Sequence, residues 1–281
     1  MCPRACGVDR AKELGECGEG FEPRISSANL HHGEEPPISG TSGSGAIFFT
    51  GCNLHCMFCQ NFPISQLHSA AKTLTTEGLA DTMLSLQKRG AHNINLVTPS
   101  HTIYQAVAAL GIAVEKGLII PIVYNTSGYD SLPVIRGLDG IVDIYLPDSK
   151  YAFDNIAVEY SSAPNYTQVN RNVLIEMYRQ TGQEIEVDKA GIARRGMIIR
   201  HLVLPGNTAN SKAVLKWIAE NLSPAIHLAL MSQYFPADRA ANHPVIGRRL
   251  TQDEYDEVIG YADELGFENG WFQDCCAEGN C

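Results

Sequence analysis

Asn93–Asn125 reads NINLVTPSHTIYQAVAALGIAVEKGLIIPIVYN. Asn93–Thr98 predicts a short strand. His101–Gly117 carries apolar residues at helical spacing and closes on a glycine, a helix C-terminal signal. Leu118–Asn125 predicts a second strand, apolar on both faces. Strands of that kind belong to parallel sheets covered by helices. The same alternation continues outward. Ala46–Thr50, Ile141–Leu146, Met197–Leu204 and Ala225–Met231 read as further strands, and Thr73–Gly90, Ser211–Leu222 and Thr251–Gly266 as helices. Between Tyr151 and Gly182 the pattern is helical but weak. The reading is α/β, with a parallel sheet of about six strands, too few for a closed eight-stranded barrel but enough for a curved open one. Ligands of such sheets bind at the carboxyl ends of the strands, so the loops after each strand are the ones to inspect.

Composition agrees. The 281 residues are 44% hydrophobic and 19% charged, which is ordinary globular usage. A chain near this size buries about 75% of its unfolded surface and needs no disulfide staples. Acidic residues outnumber basic ones 31 to 21, for a net charge of −10. That argues against broad nucleic-acid binding and against docking on anionic lipid. No run reaches the ~18 apolar residues of a membrane span; Val107–Tyr124 is interrupted by Glu115 and Lys116. The start, MCPRACGVDRAKELGEC, lacks the apolar core of a secretory signal, and the expectation is a cytoplasmic protein.

Nine cysteines fall into three triplets: Cys2, Cys6, Cys17; Cys52, Cys56, Cys59; and Cys275, Cys276, Cys281. In a reducing compartment such grouping points to metal or iron–sulfur chemistry rather than disulfides. The central triplet follows the first strand directly, in TGCNLHCMFCQN, with spacing Cys-x3-Cys-x2-Cys. Three thiolates suit three irons of a [4Fe–4S] cube and leave the fourth iron open to another ligand. Zinc and inert structural thiols are the competing readings. Structural zinc wants four protein ligands, and only His55 is near.

With Phe58 before the third cysteine, this motif resembles the signature of the radical S-adenosylmethionine (SAM) superfamily. The wider string SGSGAIFFTGCNLHCMFCQN is similar to the group of pyruvate formate-lyase-activating enzymes. CPRACGVDR and HHGEEPPISG resemble an activating-enzyme-like branch of it. The resemblance spans essentially the whole chain. It implies a partial (β/α)6 barrel over residues 46–281, preceded by an irregular cysteine-containing extension, residues 1–45. It also implies a [4Fe–4S] cluster on Cys52, Cys56 and Cys59 whose open iron chelates S-adenosylmethionine. One electron, from a donor such as flavodoxin or ferredoxin, then yields a 5′-deoxyadenosyl radical that abstracts hydrogen.

The remaining cofactor-binding expectations are carried by the same resemblance. In LVTPSH, Thr98 stands where the family has a glycine-rich segment for the methionine amino group; the competing role is a helix N-cap. In YNTSGYD, Asn125 and Ser127 take the places of an acid and an amide beside the ribose and carboxylate. In LPDSKY, Asp148 matches an acid that holds a monovalent cation against the cofactor, and Lys150 is either a cofactor contact or a solvated loop lysine. In RHLVLPG, Leu204 is expected to pack on adenine, and Gln233 and Tyr234 of SQYFP to approach the ribose.

His31, His32, Glu34 and Glu35 read better as a hydrogen-bonded loop than as a metal cluster, and Trp271 and Phe272 as packing groups that close the barrel. The outer cysteine triplets are either an auxiliary iron–sulfur or zinc site, with the two chain ends meeting, or exposed terminal thiols. The leading functional expectation is installation of a glycyl radical on a partner enzyme. Radical chemistry on a small molecule or another protein residue is the second, and a non-catalytic iron–sulfur or zinc protein the third.

Overall fold

A computed structural model describes residues 2–69 and 71–273. In chain order, strand β1 (Arg24–His31) leads through the single-turn helix α1 (Pro36–Ser39) into β2 (Ser44–Phe49). The short helix α2 (Phe62–Ser65) and strand β3 (Lys72–Thr73) precede α3 (Thr76–Lys88) and β4 (Ile94–Val97). Then come α4 (Ile103–Glu115), β5 (Ile122–Thr126), α5 (Leu132–Gly137) and β6 (Ile144–Pro147). Helices α6 (Asp154–Ser161) and α7 (Tyr166–Thr181) occupy the weakly patterned region. The chain ends through β7 (Glu186–Val187), β8 (Ala193–Leu202), α8 (Thr208–Asn221), β9 (His227–Met231), α9 (Gln252–Glu264) and β10 (Gly270–Phe272).

Neighbouring pairs along β2-β4-β5-β6-β8-β9-β10 are parallel, which is the expected sheet. The six strands read from sequence all lie in it, and the GWF segment adds β10 beside β9. Alternation along each strand splits the core into two layers. Tyr124, Tyr145, Met197 and Ile199 pack with Leu79, Met83, Leu110, Val173 and Leu215 of the helices. Val123, Ile144, Leu146, Ile198 and Ala229 form the other layer, with Ile38 of α1 inserted among them. Among the described residues no helix is long and apolar enough to cross a membrane.

Residues 1–45 are less irregular than expected. β1 pairs antiparallel with β2 from Ile25↔Phe49 to His31↔Ser44. The loop after it sends two carboxylates to β8. Arg200 Nε donates to Glu35 Oε1 at 2.7 Å, and its Nη2 donates to Glu34 Oε2 at 2.5 Å and to Glu35 Oε2. Glu34 also accepts from Asn95 Nδ2 of β4 at 2.9 Å. These acids therefore serve as a buried ion-pair brace between the loop and two strands. His31 packs edge-on against Phe48, and Trp271 stacks on His227, as packing groups.

Candidate functional site

The chain leaves β2 through Thr50 and Gly51. Gly51 has φ +71°, and a Cβ there would collide with the Cys17 carbonyl and with Glu19 Cγ, so only glycine serves. The next residues form the cysteine loop, held by backbone rather than by regular structure. Arg4 Nε donates to Asn53 O at 2.7 Å, and Asn53 Nδ2 donates to Tyr129 O at 2.6 Å. Thr50 Oγ1 donates to the buried Glu19 carboxylate at 2.8 Å, and Glu19 also meets Arg24 and His68. The N-terminal segment is thus built against the loop.

The far side of the loop rests on α6. Helix ends leave their last carbonyls without partners. Ser162 turns left-handed at φ +49°, and the amides of Ser162 and Ala163 return to Val158 and Ala157. That leaves the carbonyls of Tyr160 and Ser161, which accept from Met57 N–H at 2.8 Å and His55 N–H at 3.0 Å.

Cys52, Cys56 and Cys59 are unpaired by disulfides and partly buried. Cys52 Sγ accepts from Leu54 N–H at 3.4 Å, Cys56 Sγ accepts from the Ser161 hydroxyl at 2.9 Å, and Cys59 Sγ lies 3.3 Å from Ser65 Oγ. Burial holds Cys52 well above the ordinary thiol pKa and pushes Cys56 up to about 11, while Lys150 pulls both down. Cys52, Cys56, Phe58 and Leu204 belong to one apolar cluster with Leu54, Tyr129, Tyr151, Tyr166 and Tyr234. Phe58 and Tyr234 pack with ring centroids 5.7 Å apart. Tyr234 spends its hydroxyl on Ile246 O at 2.6 Å. The carbonyl of Gln233 accepts from Gln60 Nε2 at 3.0 Å, beside the loop.

The other expected residues sit at the ends of β4, β5 and β6. Thr98 has φ +55°, an uncommon conformation for a β-branched residue, and its N–H donates to Asn125 O at 2.8 Å. Ser127 is buried, and its Oγ has no hydrogen-bond partner among the described residues. Asp148 and Lys150 pair at 2.5 Å, with side chains only 20% and 16% exposed. Lys150 is therefore not a solvated loop lysine. Burial opposes its charge, but Asp148 and the nearby thiols outweigh that and raise its pKa.

Sequence reasoning missed the residues that hold these loops together. Tyr166 Oη donates to Ser127 O at 2.9 Å and accepts from Lys150 N–H at 3.0 Å. Asn170 Nδ2 donates to Asp148 O at 2.9 Å and Gly128 O at 3.1 Å. The buried Asp130 carboxylate accepts from Thr126 Oγ1 at 2.6 Å and Tyr124 Oη at 2.8 Å. Single Tyr, Asn and Asp residues on a helix or loop carry no spacing signal; tertiary packing alone selects them.

The donor set suits an iron–sulfur cluster. Among the described residues no three Cys, His, Asp or Glu side chains converge as ligands of a single ion. Three thiolates that take separate corners of a cube need not converge. The largely buried Lys150 ammonium acts on Cys52 and Cys56, and Ser127 carries a buried hydroxyl without a partner among the described residues, polar groups suited to a charged ligand. The N-terminal cysteines differ in environment. Cys17 is buried and accepts from Arg10 Nη2 at 3.2 Å, Cys2 is partly buried, and Cys6 is exposed at the wall of a cavity of about 490 Å³ beside α4. Cys275, Cys276 and Cys281 lie outside the described residues.

No family model matches the chain. Among solved structures, it resembles methylornithine synthase (PylB) with a TM-score of 0.50 and 12% identity, over 76% of this chain and 60% of that one. It resembles anSMEcpe with bound AdoMet at TM-score 0.51 and 11% identity, over 78% and 59%. The [FeFe]-hydrogenase maturase HydG of Carboxydothermus hydrogenoformans gives 0.52 and 11%, over 78% and 50%. The chain thus spans about half to three-fifths of these proteins. Uncharacterized protein MJ0674 of Methanocaldococcus jannaschii is 30% identical over 278 residues, 95% of this chain and 75% of that protein. The chain shares the fold of these solved structures and belongs to the same family as MJ0674.

Proposed function

We propose that this protein is a radical SAM iron–sulfur enzyme. One observation carries the reading. Three cysteine thiols lie in one loop at the carboxyl end of a parallel strand, and two of them, Cys52 and Cys56, share an apolar, aromatic cluster with Phe58 and Leu204, close to the Lys150 ammonium. Cys52, Cys56 and Cys59 would hold a [4Fe–4S] cluster, with S-adenosylmethionine bound over it. When bound, these groups would supply one-electron cleavage of the sulfonium and hydrogen-atom abstraction.

The chain's own residues bind, orient and exclude water. Backbone carbonyls and the hydroxyl at Thr98 would accept from the methionine ammonium, and the side chain of Asn125 would stand beside the ribose and carboxylate. Ser127 Oγ gains the partner it lacks. Lys150 meets the carboxylate and, being paired with Asp148, supplies the charge balance that a monovalent cation would otherwise provide. Phe58 and Leu204 dry the site and pack on the adenine. The finer assignment, supported by the activating-enzyme-like strings of the sequence, is abstraction from a glycine on a loop of a larger partner enzyme. An electron donor of the flavodoxin or ferredoxin class would serve it.

The test mixes reduced, reconstituted protein with S-adenosylmethionine and candidate partners without oxygen. A glycyl-type EPR doublet on the partner with matching 5′-deoxyadenosine supports the finer assignment. 5′-Deoxyadenosine coupled to a small metabolite, with no protein radical, replaces it by chemistry on that metabolite.

A further inference from the structure

Ser161 touches the cysteine loop twice. Its carbonyl accepts from His55 N–H at 3.0 Å, and its hydroxyl lies 2.9 Å from Cys56 Sγ. The same Oγ lies 2.6 Å from Tyr151 Oη, and both side chains are buried. A hydroxyl has one proton to give, and a metal-bound thiolate has none. When Cys56 ligates iron, Ser161 therefore donates to Cys56 Sγ, and Ser161 Oγ accepts from Tyr151. The result is a directed chain, Tyr151 to Ser161 to Cys56. The other two thiols lack this arrangement. Cys52 Sγ is met by an amide of its own loop at 3.4 Å, and Cys59 Sγ by Ser65 at 3.3 Å.

We propose that Ser161, oriented by Tyr151, is a positioning residue that raises the reduction potential of the cluster held by Cys52, Cys56 and Cys59; this rests on the cluster assignment above. A hydrogen bond to a ligating sulfur withdraws negative charge from the cluster. It stabilises the reduced state, which carries one more electron, more than the oxidised state. Burial strengthens the effect, because no water replaces the donor when it is lost. One electron enters from a low-potential reductant such as titanium(III), which is oxidised; no bond forms or breaks at Ser161.

The experiment reconstitutes full-length wild type, Ser161→Ala and Tyr151→Phe with iron and sulfide, measures iron and sulfide content, and titrates the midpoint potential. Ser161→Ala is expected to keep its cluster and to make the reduction equilibrium about tenfold less favourable, about 59 mV more negative for one electron. Tyr151→Phe is expected to shift the same way by less, since the serine proton remains. Equal potentials in all three proteins at equal cluster content overturn the inference. If Ser161→Ala takes up no cluster, Tyr151→Phe decides alone, and an unshifted potential there overturns it. A wild type that binds no cluster overturns the cluster assignment and this inference together, whereas a loaded cluster with unmoved potentials overturns only the second.

Discussion

Replacing Lys150 by Met deletes the ammonium that lies 2.5 Å from Asp148 Oδ2 and leaves a largely buried carboxylate without its partner. The size of the loss follows from burial. An exposed ion pair contributes up to about 1 kcal/mol, and breaking a fully buried one costs about 3–5 kcal/mol. Side chains 16% and 20% exposed stand between these limits, nearer the buried one. Lys150→Met is expected to destabilise by about 2–3 kcal/mol, and Asp148→Asn by a similar amount. The double variant should cost about 1 kcal/mol, because neither charge is then stranded, which gives a coupling energy of roughly 3–5 kcal/mol. Urea unfolding of the four full-length proteins at neutral pH measures each term. A coupling below about 0.5 kcal/mol would refute the pairing and, with it, the assignment of charge balance at the site to Lys150.

Three further outcomes are expected. In cluster-loaded protein, Lys150→Met should weaken S-adenosylmethionine binding about ten- to a hundredfold while iron content stays near wild type, since one charge-assisted contact is worth about 1.5–3 kcal/mol; equilibrium binding measures it, and unchanged affinity counts against the placement of Lys150 on the carboxylate. Thr98→Gly should raise stability by about 0.5–1 kcal/mol, because relief of a left-handed β-branched residue outweighs glycine's extra chain entropy; a lower urea midpoint contradicts this. Arg248, opposed in part by burial and helped by Gly206 and Thr251, lowers the Glu254 pKa to about 2. Its stabilisation is therefore full above the unfolded carboxylate pKa of about 4.3 and is lost as pH falls towards 2. Glu254→Gln keeps a capping side chain on α9 but loses the charge pair with Arg248; it should cost about 1 kcal/mol at pH 7, and the gap from wild type should narrow in melts below about pH 4.

The parallel sheet was legible because its strands are buried on both faces and so read as apolar runs such as LIIPIVYN. Boundaries moved where local chemistry intervened. The helix expected from Thr73 starts at Thr76, because the Thr75 side chain accepts from Gly78 N–H and caps it. β1 escaped notice because RISSANLH, flanked on its outer side only by the two-residue β3, is largely half-exposed and carries no apolar period. The cysteine triplet stood out by its spacing, and the structure places its three residues in one loop after β2. The environment of Lys150 was not legible, since a lysine buries only when a partner such as Asp148 meets it. Ser161 was illegible for the same reason: it is one of two adjacent serines at the end of a short helix, and its role exists only where α6 meets the loop.

The most direct test of the central claim is reductive cleavage of S-adenosylmethionine by anaerobically reconstituted protein. The comparison is between wild type and the variant with Cys52, Cys56 and Cys59 all changed to Ala. The wild type is expected to show the cluster absorbance near ~400 nm and to release 5′-deoxyadenosine after reduction, and the variant is expected to do neither of these at the central site. A triple variant that still produces 5′-deoxyadenosine at the wild-type rate would contradict the account.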